Sequence, residues 1–210
     1  MKAVIFDLDG TLWDTSDIVV ERWNEVLKKK CPKLKMTKEI MSSLMGKNKA
    51  EFVDEFFVGV DKTVAKKLIE EIFALEQKYL RENGACLYDG VLATLNALKE
   101  KYKLMIVSNC QSGYLDAFLQ HYSLKEIISD WECAGSTGLS KGENIQLIMS
   151  RNNIKKAIYV GDTKSDETAA KSASVPFVYA NYGFGDAYCY DAKIDDFSQI
   201  VDVANALLNE

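Results

Sequence analysis

Apolar residues recur along the chain with two different periods, and the changes of period mark out the elements. The N-terminus opens on an unbroken apolar run, Ala3-Val4-Ile5-Phe6. A short run of this kind predicts a strand buried on both faces, as in a parallel sheet. It leads into Asp7-Leu8-Asp9-Gly10-Thr11, where Gly10 ends the strand. Helical spacing then takes over, first in Val19, Trp23, Val26 and Leu27, with a break at Pro32. It continues in Ile40 with Leu44, Phe52 with Phe56, and Leu68, Ile72, Leu75 and Tyr79. Ser16 or Asp17 is expected to cap the first of these helices, and Asn83-Gly84 to close the last. Residues 15–83 therefore predict a small all-helical unit.

Strand and helix then alternate. A helix with Val91, Leu95 and Leu98 on one face follows Tyr88-Asp89-Gly90. The buried-type strand Leu104-Met105-Ile106-Val107 ends in Ser108-Asn109, and a helix runs on to about His121. Ser129 to Ala134 reads as a strand. Ser140-Lys141-Gly142 leads into a helix bearing Ile145, Ile148 and Met149. Ala157-Ile158-Tyr159-Val160 predicts a further strand, ending in Gly161-Asp162-Thr163-Lys164-Ser165-Asp166. An alanine-rich helix, a strand over Pro176 to Ala180 and a terminal helix with Ile200, Val203, Ala204, Leu207 and Leu208 complete the chain. This βαβ alternation predicts an α/β fold with a parallel sheet covered on both faces. Residues 1–14 and 84–210 would form the core, with the helical unit 15–83 inserted after the first strand.

Composition narrows the function. A net charge of −5 over 210 residues argues against a nucleic-acid binder that works through bulk basicity. The basic run from Lys28 to Lys35 reads as a solvated helix end and loop. No apolar stretch approaches the ~20 residues a membrane span needs. The first strand begins at once and leaves no room for a signal peptide, so a cytoplasmic location is expected. The five cysteines show no Cys-x-x-Cys pair and are odd in number, which speaks against a disulfide framework and for a reducing compartment. His121 is the only histidine, so a histidine metal cluster is excluded. Its place late in a helical pattern marks it as a helix-end residue.

Three strands of this scheme end in polar residues: Asp7 and Asp9, Ser108 and Asn109, and Asp162 with Asp166. In a parallel sheet these ends share one edge, where ligands bind in open α/β folds. Carboxylates brought together there repel and raise one another's pKa. A bound cation removes that cost, and an all-oxygen set favours Mg²⁺. Lys141 adds a positive charge suited to a phosphate. No G-x-x-x-x-G-K-[ST] loop is present, no G-x-G-x-x-G follows a strand, and Tyr182-Gly183-Phe184-Gly185 reads as a loop. The pieces describe a magnesium-dependent phosphoryl-transfer site.

Asp7-Leu8-Asp9-Gly10-Thr11, Ser108 closing its strand, Lys141, and Gly161-Asp162-Thr163-Lys164-Ser165-Asp166 resemble, in this order, the four motifs of the haloacid dehalogenase superfamily. The helical insertion resembles the cap of the subgroup containing phosphoglycolate phosphatase and β-phosphoglucomutase, on a Rossmann-like core. One departure is Gly142, where proline is usual after the lysine. The resemblance implies that Asp7 attacks phosphorus and that Asp9 serves as general acid and then base. It implies Mg²⁺ held by Asp7, the backbone carbonyl of Asp9, and Asp162, with Asp166 acting through water or by orienting its neighbours. It also implies that Thr11, Ser108, Asn109 and Lys141 hold the phosphoryl oxygens.

Asp9 speaks against dehalogenase and phosphonate-hydrolase chemistry. The mutases of the subgroup carry a histidine on the first cap helix where this chain has Val19, which favours hydrolysis. The expected substrate is a small phosphomonoester, phosphoglycolate-like or a sugar phosphate. Nucleoside monophosphates, mutase chemistry and a phosphoryl-binding scaffold remain alternatives. Gly46-Lys47-Asn48-Lys49 resembles the cap's specificity loop, with Lys49 first and Lys47 second as contacts to the non-reacting end of the substrate.

Overall fold

The computed structural model describes residues 1–47 and 49–209. Strand β1 (Lys2–Phe6) lies inside a six-stranded sheet. The chain then forms the two-residue strand β2 (Trp13–Asp14) and helices α1 (Ser16–Lys30), α2 (Lys38–Leu44), α3 (Lys49–Phe56) and α4 (Lys62–Asn83). It returns through β3 (Cys86–Leu87), which pairs antiparallel with β2. Next come α5 (Val91–Leu98), β4 (Lys103–Ser108), α6 (Tyr114–His121), β5 (Ile128–Cys133), α7 (Ala134–Thr137), α8 (Lys141–Arg151), β6 (Lys156–Gly161) and α9 (Lys164–Ala173). Strands β7 (Phe177–Ala180) and β8 (Ala192–Ile194) and helix α10 (Ile200–Asn209) follow.

The sheet order is β5-β4-β1-β6-β7-β8, and every pairing is parallel. The first strand thus sits between β4 and β6, so the three polar strand ends are neighbours. Side chains alternate between faces, and both faces are buried. Val4, Phe6, Leu104, Ile106, Ile158 and Val160 pack on one side with Leu95, Phe118 and Leu208 of α5, α6 and α10. Ala3, Ile5, Met105, Val107, Ala157 and Tyr159 pack on the other with Ile145, Ile148 and Ala170 of α8 and α9. That two-sided burial is why these strands read as continuous apolar runs.

Helices α1 to α4 enclose a separate hydrophobic cluster, centred on the fully buried Trp23. Phe52, Phe56, Phe57 and Phe73 surround its indole. Three local expectations are corrected. On α2 Met41 and Leu44 are buried and Ile40 is exposed, since Met41 rather than Ile40 faces the cluster around Trp23. On α4 the buried stripe runs Leu68, Ile69, Ile72, Glu76, Leu80, so a glutamate takes the place expected for Leu75. Neither Ser16 nor Asp17 caps α1; the Asp14 carboxylate accepts from the Ser16 amide at 2.8 Å. The Thr15 hydroxyl at the cap position is committed elsewhere, to Asp9.

Candidate active site

Asp7 follows β1 directly, and its amide still donates to Val160 O of β6 at 2.8 Å. This keeps the residue on the sheet edge and buries its carboxylate. Lys141 and Asp166 arrive from two helix starts with the same local chemistry. Ser140 and Glu143 form a capping box that opens α8, which puts Lys141 at the first helical position. Thr163 and Asp166 form a second box at the start of α9. Lys141 Nζ then lies 2.7 Å from Asp166 Oδ1 and 3.1 Å from Asp7 Oδ1. All three groups are buried. Burial opposes the charge on Lys141, but Asp166 and Asp7 outweigh it and raise its pKa.

Asp166 is fully engaged. Besides Lys141 it accepts from the Thr163 amide at 2.9 Å and hydroxyl at 2.6 Å, and the Tyr159 hydroxyl stands 3.2 Å away. Asp7 is not. Among the described residues no donor meets Asp7 Oδ1 in hydrogen-bonding geometry, although the Lys141 ammonium stands beside it. Burial pushes the Asp7 carboxyl up to about 7, against the pull of Lys141.

Asp162 completes the group. Its Oδ2 accepts from the Phe184 amide at 2.7 Å, and the Thr11 hydroxyl lies 3.4 Å from Oδ1. Burial and the neighbouring Asp166 and Asp7 raise its pKa well above the ordinary range. Two glycines press against it. A Cβ on Gly10, whose φ is +82°, would stand 2.1 Å from Asp162 Oδ2, and one on Gly183 would stand 2.3 Å from Asp162 Cβ. Each of Asp7, Asp162 and Asp166 offers a carboxylate oxygen, and these oxygens lie within 4.8 Å of one another. A hard divalent cation fits this set: oxygen donors only, crowded negative charge, and a buried oxygen on Asp7 with no hydrogen bond. Thr11, expected at the phosphoryl oxygens, is fully buried, with its hydroxyl beside Asp162.

The Asp9 carboxylate is not among the clustered oxygens. Its Oδ1 accepts from Trp13 Nε1, Thr15 Oγ1 and Tyr114 OH, each at 2.9 Å. The family resemblance gives the metal role to its backbone carbonyl rather than to this carboxylate. Burial raises the pKa of Asp9 and the three donors lower it, with burial prevailing. A carboxyl held in one place by three donors is positioned for proton transfer.

A cavity of about 850 Å³ opens over Asp7, Asp9, Ser108 and Asn109 and extends into the helical segment. Ser108 Oγ accepts from the Cys110 amide at 3.4 Å. The Asn109 side chain donates to Gly46 O at 2.6 Å, joining the two parts of the chain. Lys47 and Lys49 both line the cavity, and each is paired, Lys47 with Glu55 and Lys49 with Glu70 at 2.9 Å. Glu76 lines it too, with Trp23 Nε1 donating to Oε2 at 3.1 Å. Burial first, and the charge of Asp9 further, push the Glu76 carboxyl up to about 8, against the Trp23 and Gln111 side chains.

Sequence reasoning missed Tyr114, Trp13 and Thr15 around Asp9, Gly183 and Phe184 beside Asp162, and Glu76 and Gln111 on the cavity wall. The one legible signal was Glu76, a charge at a position where the apolar stripe of α4 calls for a core residue.

A family model described as haloacid dehalogenase-like hydrolase matches residues 4–180. A phosphoglycolate phosphatase of Photobacterium profundum is 25% identical over 219 residues, spanning 97% of this chain and 95% of that protein. One of Rhodobacter capsulatus is 26% identical over 210 residues, spanning 94% of each. The fold matches the crystal structure of a predicted phosphoglycolate phosphatase from Haemophilus somnus with a TM-score of 0.83, at 22% identity and over 97% of this chain and 98% of that one. With residues 4–180 of its 210 matched in this way, the chain belongs to the haloacid dehalogenase-like hydrolases.

Proposed function

We propose that the protein is a Mg²⁺-dependent phosphatase that hydrolyses a small phosphomonoester through an aspartyl-phosphate on Asp7. The observation that carries this is the placement of two differently held aspartates at the cavity floor. Asp7 keeps a carboxylate oxygen free of hydrogen bonds beside Lys141, while Asp9 is held by three donors. A nucleophile and an acid need these two environments.

In the first step an Asp7 oxygen bonds to phosphorus as the bond to the leaving oxygen breaks, and Asp9 gives that oxygen its proton. In the second, Asp9 takes a proton from water, which attacks phosphorus and frees the Asp7 carboxylate and inorganic phosphate. Lys141 holds Asp7 in place and offsets charge at the phosphoryl group; Asp166, to which the Tyr159 hydroxyl donates, fixes Lys141. Ser108 and the Asn109 amide sit at the floor, where phosphoryl oxygens come to rest. Asp7, Asp162 and the Asp9 carbonyl would hold the Mg²⁺, with Asp166 orienting them, and the ion would supply positive charge to the phosphoryl oxygens. Thr11 acts through Asp162. Helices α1 to α4 serve as a cap, and the free cysteines suit a reducing cytoplasm. Phosphoglycolate is the reference substrate that the relatives' names supply. Phosphate release from a panel of phosphomonoesters, with magnesium and then with EDTA, tests the reading; full turnover in EDTA would defeat it.

A further inference from the structure

The cysteines carry no pairing motif in the sequence, yet the fold brings two of them together. Cys133 ends β5 and pairs in parallel register with Ser108 at the end of β4. The chain past β4 stays alongside β5, because the Gly135 amide donates to the Cys110 carbonyl at 3.0 Å. Both cysteines pack in the hydrophobic cluster that holds Leu115 and Phe118 of α6. The Cys110 thiol donates a hydrogen bond to the Cys133 sulfur. Cys31, Cys86 and Cys189 lie elsewhere, after α1, on β3 and in the loop after β7.

The two thiols are unequal. The bond from Cys110, and then the hydroxyl and amide of Ser136, bring the Cys133 thiol down to about 6 against its burial. Ser136 Oγ stands 3.2 Å from Cys133 Sγ. Burial first, and Cys133 next, push the Cys110 thiol well above its ordinary value. The thiolate is the reactive form of cysteine. A thiolate with a protonated thiol against it matches an attacking and a resolving cysteine. The pair is within reach of a small oxidant. Cys110 is half-buried in the wall of the cavity, and Ser136 beside Cys133 is exposed.

We infer that Cys110 and Cys133 form a modification site for hydrogen peroxide, which joins them in a disulfide and slows turnover at the adjoining phosphoryl floor. The Cys133 sulfur bonds to one peroxide oxygen as the O–O bond breaks, leaving a sulfenic acid. The departing hydroxide takes the proton that Cys133 gave up and becomes water. The Cys110 sulfur then bonds to the Cys133 sulfur, the S–O bond breaks, and the Cys110 proton leaves with the hydroxyl as a second water. One peroxide is reduced and two thiols are oxidised. The effect on turnover follows from the loop. Cys110 directly follows Ser108 and Asn109, and its amide donates to Ser108 Oγ at 3.4 Å. Drawing its sulfur onto Cys133 turns the backbone that carries both of them. The effect on turnover rests on the phosphatase reading, whereas the disulfide does not.

Reduced protein is treated with hydrogen peroxide, its remaining thiols are alkylated, and its peptides are mapped by mass spectrometry without reduction. The expected product is a Cys110–Cys133 linked pair. With Mg²⁺, kcat/KM on the best phosphomonoester should fall by about tenfold or more, since small displacements of positioning groups are costly. Dithiothreitol should restore it, which it would not do for oxidised Met41 or Met45 in the same cavity wall. Cys133→Ser should form no link and lose little activity to peroxide. Cys110→Ser, on a loop, stands in if Cys133→Ser does not fold. No link between the two, or the same loss of activity in the serine variants, overturns the inference. A link that leaves kcat/KM unchanged overturns the control of turnover and leaves the phosphatase reading intact. Reduced protein that releases no phosphate from any monoester defeats the phosphatase reading and with it the control of turnover, while the mapped link still decides the modification site.

Discussion

The Asn109 side chain donates a hydrogen bond to the backbone carbonyl of Gly46 at 2.6 Å, so the loop that ends β4 is tied directly to the loop that ends α2. Gly46 also packs on the other side of the site, where a Cβ would lie 3.2 Å from Thr163 Oγ1. One hydrogen bond therefore connects the helical segment to the residue beside Ser108. Asn109→Ala removes the tie and keeps the Asn109 amide. It is expected to lower kcat/KM by about tenfold, since a lost closing contact affects chemistry and binding together. Amide exchange at Met45, Gly46 and Lys47 should speed up, with the β1 amides unchanged. Unaltered exchange there would mean that the contact does not hold the loop.

Asp7→Asn keeps the shape of the side chain and removes the nucleophile. Turnover of any phosphomonoester is expected to fall by about three orders of magnitude or more. The variant should melt at no lower temperature than the parent in the absence of metal, because burial disfavours the Asp7 charge. Phosphate release and calorimetry check the two halves.

Metal binding should be visible without substrate. The carboxylates of Asp7, Asp162 and Asp166 crowd one point, so Mg²⁺ at 100 times its Kd should stabilise the fold by about 2.7 kcal/mol. EDTA should reverse the shift. Asp162→Asn should abolish most of it, measured as Tm against Mg²⁺ concentration.

Gly183→Ala would place a methyl 2.5 Å from Asp162 Oδ2 and 2.5 Å from Gly10 O. Neither neighbour is the free end of a flexible chain, so Asp162 must shift. The Mg²⁺ concentration giving half-maximal thermal protection is expected to rise about tenfold or more. Gly185→Ala is the control, its nearest contact being 3.1 Å from Thr163 Cγ2.

Glu76 makes stability depend on pH. Its folded-state pKa of about 8 lies above the ordinary carboxylate value, chiefly through burial. The folded protein thus keeps a proton that the unfolded chain has lost. The contribution is complete below the unfolded pKa and is lost as pH rises toward 8, at up to about 1.4 kcal/mol per unit. Glu76→Gln has no proton to lose. The stability difference between parent and variant, from urea unfolding between pH 5 and pH 9, should move in the variant's favour by at least about 1 kcal/mol. A constant difference would show that the carboxyl is charged throughout.

The α/β alternation, the four-residue apolar runs and the acidic strand ends were legible in the sequence because each depends on short-range rules. Burial on both faces makes Ala3 to Phe6 and Ala157 to Val160 read as continuous apolar runs. The helical character of the insertion was likewise carried by its periodicity. What lay beyond the sequence depended on partners far along the chain. Tyr114 reaches Asp9 from 105 residues further on, and Gly183 closes on Asp162 from a loop that read as a bare connection. Glu76 broke an apolar stripe, yet nothing local says that Trp23 receives it or that Gln111 faces the same cavity. Local pattern determined which elements form and which carboxylates they carry to the sheet edge. Only the tertiary structure decided which of those carboxylates is hydrogen-bonded, which is left free, and what lines the space above them, because burial and long-range packing set each group's solvation and its partners.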